Sequence, residues 1–172
     1  MAQNTLISQF LSTLQEGRKE LFGDIITYLT TLGYTPQKQA VKTLTLSFKR
    51  GRQVIAKMRP CDGGEFRVKF FACENPPLKY VDALRRDIEA QNEQYWGAID
   101  PDRPEHIKNK CDGCGTACTG GNIGYYWKFG DGREIFRCGA YPILIPDITA
   151  DDLADIKRLL TEQDKYFITL CA

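Results

Sequence analysis

Between residues 41 and 72, apolar and polar residues alternate with a period of two, and no other pattern restricts the fold of this chain so tightly. Leu44, Leu46 and Phe48 alternate with Thr43, Thr45, Ser47 and Lys49. Gly51-Arg52 has the composition of a tight turn, after which Val54, Ala56 and Met58 alternate with Ile55, Lys57 and Arg59. Asp62-Gly63-Gly64 interrupts again, and Phe66, Val68 and Phe70 then alternate with Arg67, Lys69 and Phe71. Successive strand side chains point to opposite faces, so the pattern predicts three antiparallel strands with one apolar face. That face has to be covered by the rest of the chain.

Helices supply the cover. Over residues 5–32, Leu6, Phe10 and Leu14 form one apolar stripe and Leu21, Ile25, Ile26 and Leu29 a second, with Gly17 between them as the expected break. Gly33 is a good residue to stop a helix, and Pro36 follows it. Asn75-Pro76-Pro77 predicts another helix start, with Val81, Leu84, Ile88 and Tyr95 as its buried stripe. Thr149 and Asp152 resemble a capping box ahead of a last helix whose stripe is Leu153, Ile156, Leu160 and Phe167. Asp151, Asp152 and Asp155 crowd the first turns of that helix, where its dipole favours negative charge, so they read as helix electrostatics rather than catalytic carboxylates. A chain of 172 residues with 42% hydrophobic and 26% charged residues can bury one core, and it shows no internal repeat or domain boundary. The expectation is a single α+β domain over 1–172, a small antiparallel sheet packed with helices.

The polar face of the predicted sheet is basic. Eight basic residues against two acidic ones between 41 and 70 leave that segment at +6 and the rest of the chain at −5, although the whole carries only +1. Such asymmetry fits an anion-binding face, but charge more often does no more than solvate a surface or pair with acidic helices. Stacking aromatics are nearly absent from the face, Phe71 apart, which argues against nucleic acid as the partner.

A second feature lies further on. Four of the seven cysteines fall between 111 and 138, in Cys111-x-x-Cys114-x-x-x-Cys118 and then Cys138. Residues 97–110 form a Gly-, Pro- and Asp-containing loop that leads into the cluster. Beyond it Tyr125, Trp127 and Phe129 alternate with Tyr126 and Lys128, and Gly130-Asp131-Gly132-Arg133 marks a hairpin turn. With Asp131-Gly132 as a two-residue loop, 129 pairs with 134 and 125 with 138, which returns Cys138 toward Cys118. Tyr141-Pro-Ile-Leu-Ile145 reads as one more strand. Cys-x-x-Cys-Gly is the shape of a metal knuckle, and zinc prefers four tetrahedral ligands, so Cys111, Cys114, Cys118 and Cys138 are the expected ligands of a structural Zn2+ that stabilises a metal-binding loop and hairpin over 97–140. The alternatives are a redox disulfide between Cys111 and Cys114 with Cys118 as resolving thiol, or an iron–sulfur cluster, whose common spacings this run does not match. His106, the only histidine, is a loop residue that would serve only as a substitute ligand. Cys61, Cys73 and Cys171 lie outside the cluster and read as turn, strand and tail residues. Trp96, Trp127, Tyr125 and Tyr126 suit an apolar pocket or, more simply, a core.

Other chemistry lacks its parts. One histidine and no nucleophile elbow leave no hydrolase triad, and no glycine-rich loop carries the Lys-Ser/Thr pair of a phosphate-binding P-loop. The start, Met1-Ala-Gln-Asn-Thr-Leu, has neither a basic region nor an apolar run, and no stretch approaches the roughly 20 apolar residues of a membrane span. The expected setting is therefore the cytoplasm, where cysteines are reduced or metal-bound and an odd number of them is no difficulty.

The strands and helix at 41–95 resemble the core of YdhG-like and MmcQ/YjbR-like proteins, through Val54-Ile-Ala-Lys-Met58, Phe66-Arg-Val-Lys-Phe-Phe-Ala72 and the helix from Pro76. The tail is similar to that of a group of small bacterial proteins with a C-terminal four-cysteine motif, through Cys111, Cys114, Cys118, the Asp131-Gly132 hairpin, Cys138 and a final Thr-Ala-Asp-Asp-Leu helix. This resemblance spans most of the chain after residue 40, implies an α+β fold and carries over no catalytic residue. The expected function is a non-enzymatic, zinc-stabilised binding protein that recognises a small molecule or a protein partner. The rival is a thiol–disulfide oxidoreductase or redox sensor using Cys111 and Cys114.

Overall fold

A computed structural model describes residues 2–51, 53–69, 124–128, 134–138 and 142–171. The chain begins with two helices, α1 (Ala2–Ser12) and α2 (Glu16–Thr31). The break falls at Thr13–Gln15 and not at Gly17, which sits in the first turn of α2. Tightening of the last turn of α1 ends it: Thr13 and Leu14 donate to the carbonyls of Phe10 and Leu11, three residues back, each at 3.1 Å. Gln15 is extended and starts α2. Gly33, at φ +83°, closes α2 as expected.

Five strands then form one antiparallel sheet: β1 (Thr35–Lys38), β2 (Leu46–Arg50), β3 (Gln53–Arg59), β4 (Glu65–Val68) and β7 (Ile143–Ile145), in the order β1-β2-β3-β4-β7. The three strands expected from the alternation are β2, β3 and β4. Two details differ. Residues 41–45 are loop, and β2 begins only at Leu46, because Gln39 N–H donates to Thr45 O at 2.9 Å and closes a turn there. The sheet also gains a strand on each side. On one side is β1, which carries Pro36 on an edge where its missing N–H is tolerated. On the other is β7, the further strand expected before Pro146, laid against β4 through Phe66↔Ile145 and Val68↔Ile143.

The apolar face is buried largely as the pattern requires, with one correction: the β2–β3 register shifts between Phe48 and Lys49, and Ile55 rather than Val54 enters the core. Leu46, Phe48, Ala56, Met58, Phe66 and Val68 share one core with Phe10, Phe22, Ile25 and Leu29 of the first two helices. Ile156, Leu159 and Leu160 join them from α3 (Leu153–Cys171), which follows a short 3-10 turn at Ala150–Asp152. The capping box is present: Asp152 accepts from the Thr149 backbone N–H at 2.7 Å, and Thr149 caps in return. Cys171 ends α3 and is therefore helical rather than a tail residue. Among the described residues, no helix is long and apolar enough to cross a membrane.

Two polar fastenings hold the layers together. The Arg18 guanidinium donates to the carbonyls of Gly63 (2.8 Å), Gly64 (3.1 Å) and Ile148, joining the start of α2 to two loops. Asp164 on α3 accepts from the Tyr34 hydroxyl at 2.9 Å and pairs with Arg50 at 2.6 Å, while Arg50 lies over the Tyr34 ring.

The remaining strands, β5 (Gly124–Lys128) and β6 (Glu134–Cys138), form an antiparallel pair. Its register corrects the expected one by a residue: Tyr125 faces Arg137 and Gly124 faces Cys138. An odd number of residues separates the closing pair Lys128↔Glu134, so a two-residue Asp131-Gly132 loop does not fit this register. The turn itself lies outside the described residues. So do the expected strand residues Phe70, Phe71, Cys73 and Tyr141, the helix from Pro76, Trp96 and the 97–110 loop.

Candidate functional site

The polar face of the sheet carries the site that the described residues build. One row crosses the strands at right angles: Gln37 faces Ser47, Ser47 faces Lys57, Lys57 faces Arg67 and Arg67 faces Leu144. Two residues along, on the same face, Arg59 faces Glu65. Lysine and arginine are thus direct cross-strand neighbours, an arrangement that repels when nothing lies between them.

A groove of about 560 Å3 opens over this row. Lys57, Arg59 and Arg67 come from β3 and β4. Gln39, Val41, Lys42, Thr43 and Thr45 come from the β1–β2 connection, and Pro142 from the approach to β7. The connection holds its shape through Gln39 N–H to Thr45 O and Val41 N–H to Gln39 O, both at 2.9 Å, and through the Thr45 hydroxyl, which donates to Thr43 O at 3.1 Å. Val41, at 52% exposure, is the most solvent-open large apolar side chain among the described residues.

Glu65 is the carboxylate nearest this cluster among the described residues, and it is divided between two arginines, Arg67 at 3.3 Å and Arg59 at 3.5 Å. Lys57 and Lys42 have no carboxylate within ion-pair distance among the described residues. Burial, followed by the charges of Arg67 and Lys49, holds the Lys57 ammonium below the ordinary lysine value. The described lining of the groove is therefore cationic in net charge, with hydroxyls and an amide along one wall and an apolar patch at Val41 and Pro142.

Of the expected metal ligands, Cys138 ends β6 opposite Gly124. Cys111, Cys114 and Cys118, with His106, lie outside the described residues. Among the described residues, no group of three or more histidines, cysteines or carboxylates is placed to hold a metal. Cys61 lies in the Cys61–Gly63 turn, as expected, with a free thiol. Burial, and then the hydrogen bond and negative charge of Glu65, push this thiol above its ordinary pKa, which makes it a poor nucleophile at neutral pH.

The basic face was legible from the alternation, but the groove was not. Its walls depend on the β1–β2 connection and on Pro142, and those come together only because β1 and β7 flank the three central strands. The fold and this cleft define a small α+β protein with a cationic groove on an antiparallel sheet. No family model, curated protein or solved structure matches the chain.

Proposed function

We propose that this is a non-enzymatic binding protein whose ligand, a small molecule, occupies the groove on the polar sheet face, and whose four clustered cysteines hold a structural zinc ion. The observation that carries the first part is the Lys57–Arg67 pair, set face to face under a groove whose volume lies within the roughly 300–1,000 Å3 of small-molecule sites. That size favours a small molecule over a protein partner. Among the described residues, no aromatic side chain lines the groove to stack on bases, which is in keeping with a ligand other than nucleic acid.

The zinc reading rests on ligand chemistry and spacing. Cys111, Cys114 and Cys118 fall within eight residues, and the β5–β6 register puts Cys138 opposite Gly124, six residues after Cys118. Six residues reach about 20 Å when extended, so the chain is long enough to bring all four sulfurs to one ion. Their role would be structural, supplying folding free energy to the 97–140 segment.

Elemental analysis of protein purified without a metal-affinity tag, with thiols titrated before and after chelation, tests the metal. About one zinc per chain with about four thiols protected until chelation is expected. Alanine at Cys111 or Cys138 should abolish it. Metal-free protein with an oxidised Cys111–Cys114 pair that cycles reversibly would replace this reading with the oxidoreductase one. A fragment screen followed by amide NMR shifts tests the groove separately, with responses expected at Thr43, Thr45, Lys57 and Arg67.

A further inference from the structure

The groove's lining names a class of ligand. We propose that it binds a small organic phosphate, with the phosphate seated between Lys57 and Arg67 and the organic part lying toward Val41 and Pro142. This rests on the reading of the groove as a binding site.

Charge is the first argument. Among the described residues, Lys42, Lys57, Arg59 and Arg67 line the groove, and one carboxylate, Glu65, is divided between the two arginines. The excess suits a dianion better than a single carboxylate, and a phosphate monoester carries about −1.5 to −2 at neutral pH. Cross-strand repulsion between Lys57 and Arg67 is relieved by an anion placed between them. The guanidinium adds a planar fork that matches phosphate oxygens, and the ammonium adds a point charge.

The second argument is the shape of the remainder. The cavity exceeds what bare phosphate needs, and the rest of its described lining is uncharged. Gln39, Thr43 and Thr45 offer an amide and hydroxyls along one wall, while Val41 and Pro142 offer apolar surface. A ligand with a charged head and a neutral body uses all of them.

Isothermal titration calorimetry with phenyl phosphate, inorganic phosphate, benzoate and phenol tests the proposal on the full chain. Phenyl phosphate should bind most tightly. At 100-fold over its dissociation constant it should raise the Tm by about 5–10 °C. Affinity should increase from pH 5.5 to 7.5 as the phosphate becomes dianionic. Lys57→Met should weaken binding roughly 10- to 100-fold without lowering the Tm of the free protein. Val41→Ser should remove the preference for phenyl phosphate over inorganic phosphate.

Equal affinity for benzoate, or phenol binding in the groove without any anion, would overturn the phosphate assignment and leave the groove as a binding site. Phosphate affinity unchanged by Lys57→Met would place the site elsewhere and overturn it as well. Absence of binding by all four probes, with no groove amide responding to the fragment screen, would overturn both the assignment and the reading on which it rests.

Discussion

Lys57 shows at the scale of one side chain how a cationic surface is held at the expense of stability. Its folded pKa lies below the ordinary 10.5, so between the two values the unfolded chain binds more protons than the folded one. Stability therefore rises with pH across that window, and at neutral pH the charge opposes folding. Lys57→Met should raise the Tm by about 1–2 °C at pH 7, a small effect because solvent screens a partly exposed charge. The advantage should shrink as pH rises toward 10.5, and a gap that widens instead would contradict the assignment. Gly64 is constrained in a different way. It sits at φ +111°, and a Cβ there would lie 2.7 Å from two ring carbons of Phe22. Gly64→Ala should cost about 2–4 kcal/mol, measured by urea unfolding. Gly51→Ala, also at positive φ but with nothing within 4 Å, should cost only about 1 kcal/mol. Equal costs at the two sites would show that backbone conformation alone decides both.

Among the elements, α3 is fastened to Tyr34 and to the end of β2 through one carboxylate. Asp164 is 8% exposed, and its Oδ1 takes both the Tyr34 hydroxyl and the Arg50 guanidinium. Arg50 also donates to Leu32 O at 2.9 Å, so the end of β2 is tied to the end of α2 and to α3 through one side chain. Asp164→Ala should destabilise by about 2–3 kcal/mol, below the range for a fully buried pair because Arg50 is partly exposed. Asp164→Asn keeps an acceptor for Tyr34 and should lose about half as much. The check is the urea midpoint at constant m-value, and a shift under 0.5 kcal/mol for the alanine variant would show that apolar packing alone holds α3 in place. None of this was visible in the chain, where Arg50 and Asp164 are ordinary charges far apart. What was visible were the local stops: Gly33 after α2, and Thr149 with Asp152 before α3. Those signals work because caps are satisfied within a few residues.

For the whole molecule, the closing segment is as much a part of the core as the sheet it completes. Ile143, Ile145, Ile148, Ile156, Leu159 and Leu160 are all buried. Removing them forfeits about 9–18 kcal/mol at roughly 1.5–3 kcal/mol each, against a total stability of about 5–15 kcal/mol for a domain. A chain ending at residue 142 should therefore show no cooperative unfolding by circular dichroism, and it should self-associate through the β4 edge that β7 now covers. A cooperative, monomeric truncated chain would mean that the core is complete without β7 and α3.

The three central strands, most of their apolar face and the stripes of α1, α2 and the first turns of α3 were legible in the sequence alone, because period two and period 3.6 are properties of neighbouring residues. The basic polar face came with them. Local readings failed where geometry beyond the pattern intervened: the helix break moved from Gly17 to Thr13–Gln15, residues 41–45 became loop, Cys171 joined α3, and the β5–β6 register moved by one residue. Tertiary structure alone decided that β1 and β7 flank the sheet, because pairing between distant segments follows from which backbone edge is open and which apolar faces need cover. By that decision Pro142 meets the β1–β2 connection over Lys57 and Arg67, and a basic strand pattern becomes a cationic groove.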